Sequence, residues 1–217
     1  TLFAYDAVYQ PIPHLVETHT ASDDGLTHTL KLREGVPFHN GEEMTAADVH
    51  ASVTRWSQIS GLGGNLFERV EEFVEVDDYT VEFRLTEPFG PLLTALANNT
   101  QGCTIHPAAI METGTEPLTT DDQFIGTGPY MLKERKADQY IQLVRFDGYT
   151  PRSEEANGFG GAREAVLDEI GAASHPAKPK TFPGGDGIAG GHHLIDVMAC
   201  FEEAMGISTR SCIRCAG

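Results

Sequence analysis

From Ser22 to Trp56 the chain runs through a turn, a strand, a second turn and a capped helix in unbroken order. This succession constrains the fold more than any other stretch. Ser22, Asp23, Asp24 and Gly25 carry turn chemistry, because short polar side chains bond nearby backbone and glycine accepts a positive φ without steric cost. Leu26 to Arg33 reads as a strand. Leu26, His28, Leu30 and Leu32 share one face and Thr27, Thr29, Lys31 and Arg33 the other, since strand side chains alternate with a period of two. His39, Asn40 and Gly41 form the second turn. Thr45 stands where a helix N-cap belongs, with Asp48 three residues on to return a bond to it, a weaker form of the capping box that prefers Glu or Gln. Ala46, Val49, Val53 and Trp56, spaced by three and four, then supply a buried helical stripe. The physical reading is part of a mixed α+β domain.

Further along, Glu72 to Leu85 reads as a hairpin bent at Asp77 and Asp78, with Tyr79, Val81, Phe83 and Leu85 alternating down its second strand. Glu87, Pro88 and Phe89 stop that strand. Gly90 to Ala97 is a short apolar helix candidate with Pro91 tolerated in the first turn.

The order and identity of these residues resemble the extracellular solute-binding proteins, family 5, of peptide and nickel ABC importers. The resemblance rests on Asp24 to Thr27, Leu32-Arg33, Phe38 to Gly41, Thr45 to Val49 and Arg55, with His28 in place of the usual aromatic and Asn40 in place of Asp. It continues through the hairpin, the Ile125-Gly126-Thr127-Gly128-Pro129-Tyr130 turn, the strand from Tyr140 to Phe146 and Asp147-Gly148-Tyr149, covering roughly residues 1 to 170. It implies an α/β fold, a fragment of a two-lobed periplasmic-binding-protein architecture, mainly the N-terminal lobe and its subdomain. Residues 1–122 are expected to form part of the subdomain, 123–170 to return to the ligand-binding lobe, and 171–217 to be an unrelated tail. The implied role is the substrate-binding component of an ABC importer rather than an enzyme: a monomer without cofactor that captures a peptide or similar small solute outside the membrane and delivers it to the permease. The resemblance leaves the solute open between peptide, nickel, opine and oligosaccharide. It also places Thr1 well downstream of a mature N-terminus, so an export signal, the first strands of the lobe and any lipid anchor are expected upstream. The expected location is periplasmic or extracellular.

Composition is consistent with this. The 32 acidic and 15 basic residues leave a formal charge of −17, which argues against nucleic acid or an anionic membrane as the main partner. No apolar run reaches the roughly 18 to 20 residues of a membrane-spanning helix. The charge is unevenly placed. Four residues of each sign in the last 47 leave the entire −17 before Ile170, and those last 47 also hold three of the four cysteines and eight of the 23 glycines. Two readings stand for so abrupt a change: a divergent natural tail, or translation in a shifted frame, which is favoured.

The tail also carries the alternative function, a small metal-binding or redox protein. Leu194, Val197, Met198, Phe201 and Met205 have helical spacing, and Cys212-Ile213-Arg214-Cys215 is a lone CxxC near His192, His193 and Cys200. A structural zinc site wants two spaced ligand pairs, and only one pair here has the right spacing, so no metal site is assigned. Elsewhere the nine histidines are scattered, and no nucleophile elbow, phosphate loop or dinucleotide fingerprint is present. Two glycine-rich runs, Gly61 to Gly64 and Gly158 to Gly161, read as flexible loops. Cys103 reads as a small buried side chain. The ligand-facing candidates are Asn98, Asn99, Thr100 and Gln101, whose short polar side chains between an apolar helix and His106-Pro107 can hydrogen-bond a peptide backbone.

Overall fold

A computed structural model describes residues 1–136, 139–162, 165 and 167–173. The stretch singled out above forms the centre of its larger layer. β1 (Phe3–Tyr5) and β2 (Pro11–Pro13) make a small antiparallel pair, followed by β3 (Val16–Ala21) and β4 (Thr27–Leu32). After the second turn come α1 (Ala46–Ile59), α2 (Gly61–Phe67), β5 (Val70–Asp77) and β6 (Thr80–Leu85). The four longer strands form an antiparallel sheet in the order β3-β4-β6-β5. Its register sets His28 opposite Phe83 and Leu30 opposite Val81, so the alternation read from each strand converges on one face. Leu30, Leu32, Val81 and Phe83 are wholly buried there. Strand β5 is an edge of this sheet and bears Glu71, Glu72, Glu75 and Asp77.

Helix α1 covers that face, and the two periodicities meet in an aromatic cluster. Phe73 and Phe83 stack with ring centroids 4.2 Å apart, Phe67 of α2 meets both edge-on, and the His50 ring of α1 stacks on Phe73 at 5.1 Å. Each such aromatic pair contributes about 0.5–1.5 kcal/mol beyond the area it buries. At the helix start the Thr45 amide donates to Asp48 Oδ2 at 2.8 Å and the Thr45 hydroxyl at 3.0 Å. The other carboxylate oxygen of Asp48 accepts from the Ala108 amide at 2.8 Å. One acidic side chain therefore caps α1 and also holds the start of α4 (Ala108–Met111). This is why α1 buries Ala51 and Ser52 in addition to the expected stripe: a second face packs toward α4.

The first glycine-rich run is a helix, not a flexible loop. Glycine costs roughly 1 kcal/mol per residue in a helix relative to alanine, so something must offset the three in α2. Ser60 accepts from the Gly63 amide at the N-terminus, and Leu66 is buried in the core. Gly63 itself lies so close to α1 that a β-carbon there would stand 2.6 Å from the Trp56 carbonyl oxygen. The requirement is close helix approach.

Beyond α3 (Leu92–Leu96) and α4, a short 3-10 turn (Asp121–Gln123) leads to a second antiparallel sheet, β7-β8-β9, from Tyr130–Lys136, Tyr140–Arg145 and Glu169–Ala173. It has its own small core of Ile141, Leu143 and Ile170. The expected tail features, the CxxC and the stripe from Leu194 to Met205, lie outside the described residues.

Replacing Gly63 by Ala is expected to lower stability by about 1–3 kcal/mol, through overpacking against the α1 backbone, despite alanine's better helix propensity. Urea denaturation should show a lower midpoint with an unchanged slope; a midpoint equal to or above that of the parent would remove the close-approach argument.

Candidate functional site

Two segments of the chain's second half dock on residues of the first half, and polar side chains from distant positions meet along that seam. The first is the 125–129 turn. His39, in the turn before α1, makes a backbone bond to it: the His39 amide donates to the Gly126 carbonyl at 2.9 Å. Its ring completes the contact. The Gly126 amide donates to Nδ1 at 3.2 Å, so Nδ1 is the unprotonated nitrogen and Nε2 carries the proton it donates to the Gly128 carbonyl at 3.0 Å. From the other side His106 Nδ1 donates to the Ile125 carbonyl at 2.8 Å, leaving Nε2 to accept from the Thr104 hydroxyl at 3.0 Å. Ser52 of α1 fixes the His106 backbone, accepting from its amide and donating to its carbonyl. Burial holds both imidazoles below their ordinary range, His39 downward and His106 to about 4. Both are therefore neutral at physiological pH, each with its tautomer fixed.

The second docking segment is 150–162. Arg33, at the end of β4, donates to the Thr150 and Pro151 carbonyls at 3.0 Å each. Arg152 is buried and points the opposite way, donating from Nη1 to the carbonyls of His14 and Val16 at 2.9 Å. Its charge is met by Glu154, which receives Nε at 2.9 Å and Nη2 at 2.5 Å in a bidentate pair. That pair and a further backbone bond draw the Glu154 carboxyl down to about 2. Beyond it, Asn157 accepts from the Ala7 amide, and the Phe159 amide donates to the Tyr5 carbonyl. The second glycine-rich run, Gly158 to Gly161, is thus braced and not free. A β-carbon on Gly158, whose φ is +58°, would lie 2.2 Å from the Asp6 backbone.

The predicted ligand-facing residues lie elsewhere, after α3. Asn98 Oδ1 accepts from the Thr100 amide, the Thr100 hydroxyl and the Gln101 amide, closing the turn on itself. Gln101 Oε1 accepts from the Ser60 hydroxyl and the Leu62 amide, and its carbonyl accepts from the Trp56 indole at 2.7 Å. Asn99, Thr100 and Gln101 are exposed, and Asn98 stands at the lip of a shallow apolar depression with Leu62, Leu66, Phe89, Pro91 and Ala95. Sequence reasoning found the polar cluster but not its internal bonding. It missed the Arg33 and Arg152 seam altogether, because a lone arginine between Pro151 and Ser153 carries no local signal. Cys103 is buried, as expected. Among the described residues no three His, Cys, Asp or Glu side chains are grouped to hold a metal ion, and no helix is long and apolar enough to cross a membrane.

A four-stranded sheet with a covering helix, followed by a second small sheet, is the partial architecture of a two-lobed periplasmic binding protein. The binding protein AgaA of A. tumefaciens, solved with agropinic acid, superposes with a TM-score of 0.65 at 24% identity over 79% of this chain and 32% of AgaA. Residues 10–178 match the bacterial extracellular solute-binding proteins, family 5 (middle region), and the chain belongs to that family. Among curated relatives, a probable peptide ABC transporter periplasmic-binding protein of Sinorhizobium fredii is 33% identical over 174 residues, 78% of this chain and 32% of the relative. The glutathione-binding protein GsiB of Escherichia coli is 34% identical over 150 residues, 68% of this chain and 28% of GsiB. The chain thus spans about a third of the length of the curated relatives it matches.

Substituting Arg152 by Gln should lower stability, measured by urea denaturation, by about 2–4 kcal/mol, since the His14 and Val16 carbonyls lose their donor. The Glu154 carboxyl is depressed in the folded state, so its contribution is complete above the ordinary carboxylate range and is lost as pH falls toward about 2. The variant should accordingly lose part of the parent's acid sensitivity between those limits, and identical acid profiles would count against the pair.

Proposed function

We propose that this chain is the solute-capturing part of an ABC importer, taking up a peptide or a similar small solute outside the membrane and handing it to the permease. The observation that carries the reading is the family match across residues 10–178, which includes the docked return segment as well as the sheet. Two relatives are named for a peptide and for glutathione, itself a peptide. Residues 1–122 then serve as the subdomain and 123–170 as the return to the ligand lobe, with a second lobe closing over the solute. Closure requires only that the solute bind the closed state better than the open one. The protein acts as a monomer in the periplasm or at the cell surface, where a lipid anchor would hold it near the permease. The role is transport, not catalysis.

On this reading the exposed turn at Asn98, Asn99, Thr100 and Gln101 faces the solute. Asn98 and Gln101 spend their amide oxygens holding the turn, so Asn99, together with the amide groups of the others, is the group best placed to meet a peptide.

The test uses the protein encoded by the complete reading frame, titrated with dipeptides, tripeptides including glutathione, and zinc. A saturable rise in melting temperature with a peptide is expected, about 2.7 kcal/mol of added stability at a hundredfold excess over Kd. Stoichiometric zinc without any peptide response would favour the metal-binding alternative and overturn the reading. The 217-residue chain alone should lack micromolar peptide affinity. In the complete protein, Asn99→Ala should weaken peptide binding severalfold with little change in stability, whereas Asn98→Ala should lower stability by about 1 kcal/mol or more. Unchanged affinity in Asn99→Ala would remove this turn from the solute site.

A further inference from the structure

The contact between the signature turn and the 125–129 turn rests on imidazoles whose hydrogen-bonding roles are already assigned. At His39 both ring nitrogens face backbone groups of the other turn: Nδ1 receives the Gly126 amide, and Nε2 donates to the Gly128 carbonyl. The Phe146 ring packs edge-on against His39 at 5.1 Å, so the exit of β8 is held by the same side chain. A second proton can only go to Nδ1, where it would oppose the Gly126 N–H, donor against donor. At His106 the free acceptor is Nε2, and its partner, the Thr104 hydroxyl, can rotate from donor to acceptor. The two histidines therefore respond differently to acid. His106 can be protonated with its hydrogen bonds kept, at the cost of burying a charge, whereas His39 cannot.

We propose that His39 is a proton-sensitive latch: protonation of its ring releases the 125–129 turn, while the four-stranded sheet, α1 and the 150–162 segment held by Arg33 and Arg152 stay in place.

The surrounding charges do not remove this sensitivity. At His39 the governing influence is burial, opposed by the Gly128 carbonyl. At His106 it is burial, opposed by the Ile125 carbonyl, with the Arg55 guanidinium and His39 itself further disfavouring a positive charge. No carboxylate features among these influences. Arg55 is directed away, to the Gly114 and Glu116 carbonyls. Because the folded-state value of His39 lies below the ordinary 6.5, the latch contributes fully above 6.5 and is lost as pH falls from there through the folded-state value. The inference concerns the joint alone and does not depend on which solute is carried.

The test is amide hydrogen exchange on the 217-residue chain from neutral pH down to about 4, corrected for intrinsic rates, with nitrogen-15 shifts of the imidazoles recorded in parallel. At neutral pH, His39 should be protonated at Nε2 and His106 at Nδ1. On acidification, protection of the Gly126 and His39 amides should fall by about tenfold or more, while amides in the centres of β4 and β6 stay protected. His39→Gln, an uncharged amide that can still accept and donate, should abolish that local acid response, and His106→Gln should leave it in place. Protection at Gly126 that is independent of pH, loss that coincides with loss in β4 and β6, or loss that persists in His39→Gln would each overturn the proposal. The opposite tautomer at His39 would overturn it without any variant.

Discussion

One constraint organises the larger half of the molecule: a sheet with apolar side chains on one face must be covered, and a single helix with a 3.6-residue period has to match strands with a period of two. Phe83 sits where the match is made. Wholly buried on β6, it stacks on Phe73 of the neighbouring strand, and Phe73 in turn carries the His50 ring of α1 and the edge of Phe67 from α2. Fully burying side chains of this kind is worth roughly 1.5–3 kcal/mol each, which no exposed ion pair on the acidic outer face approaches. The cap at Thr45 and Asp48 then fixes where the helix begins, and so which of its residues reach the cluster.

The sheet and its helix were legible because their signals are local. Alternation from Leu26 to Arg33 and from Tyr79 to Leu85 gave the buried face, and the spacing of Ala46, Val49, Val53 and Trp56 gave the helix stripe. The second stripe, Ala51 and Ser52, was not legible: it exists because α4 lies on the other side of α1, a tertiary fact with no trace in the periodicity of α1 itself. Gly61 to Gly64 was misread as a loop, and the bracing of the Gly158 to Gly161 loop was not legible, for a related reason. Composition suggests freedom at Gly61 to Gly64 and Gly158 to Gly161, but the absence of a side chain serves equally well for close packing. Gly63 against Trp56 and Gly158 against Asp6 are cases of the latter. The polar cluster from Asn98 to Gln101 was read as ligand-facing from its composition, while its amide oxygens close a turn and support α2, a partnership that only the fold could disclose.

The seam shows how few polar groups are needed to join two cores. Arg33 and Arg152 each donate to two carbonyls on the opposite side, so the charges cross over and interlock. Guanidinium suits this role because it stays protonated and presents several donors in a fixed plane. On the other flank the joint is made by neutral imidazoles instead. One side of the connection is therefore insensitive to moderate acid and the other is not.

The separation of these partners along the chain bears on how the protein is made. Val16 and Arg152 are 136 residues apart, while the partners within the hairpin of β5 and β6 are close neighbours in sequence. In a chain that emerges N-terminus first, the sheet strands are all available before the arginine that closes the seam. For that interval the His14 and Val16 carbonyls are served by water. The larger core can thus form first, and the segment that carries Arg152 docks onto a surface that is already in place.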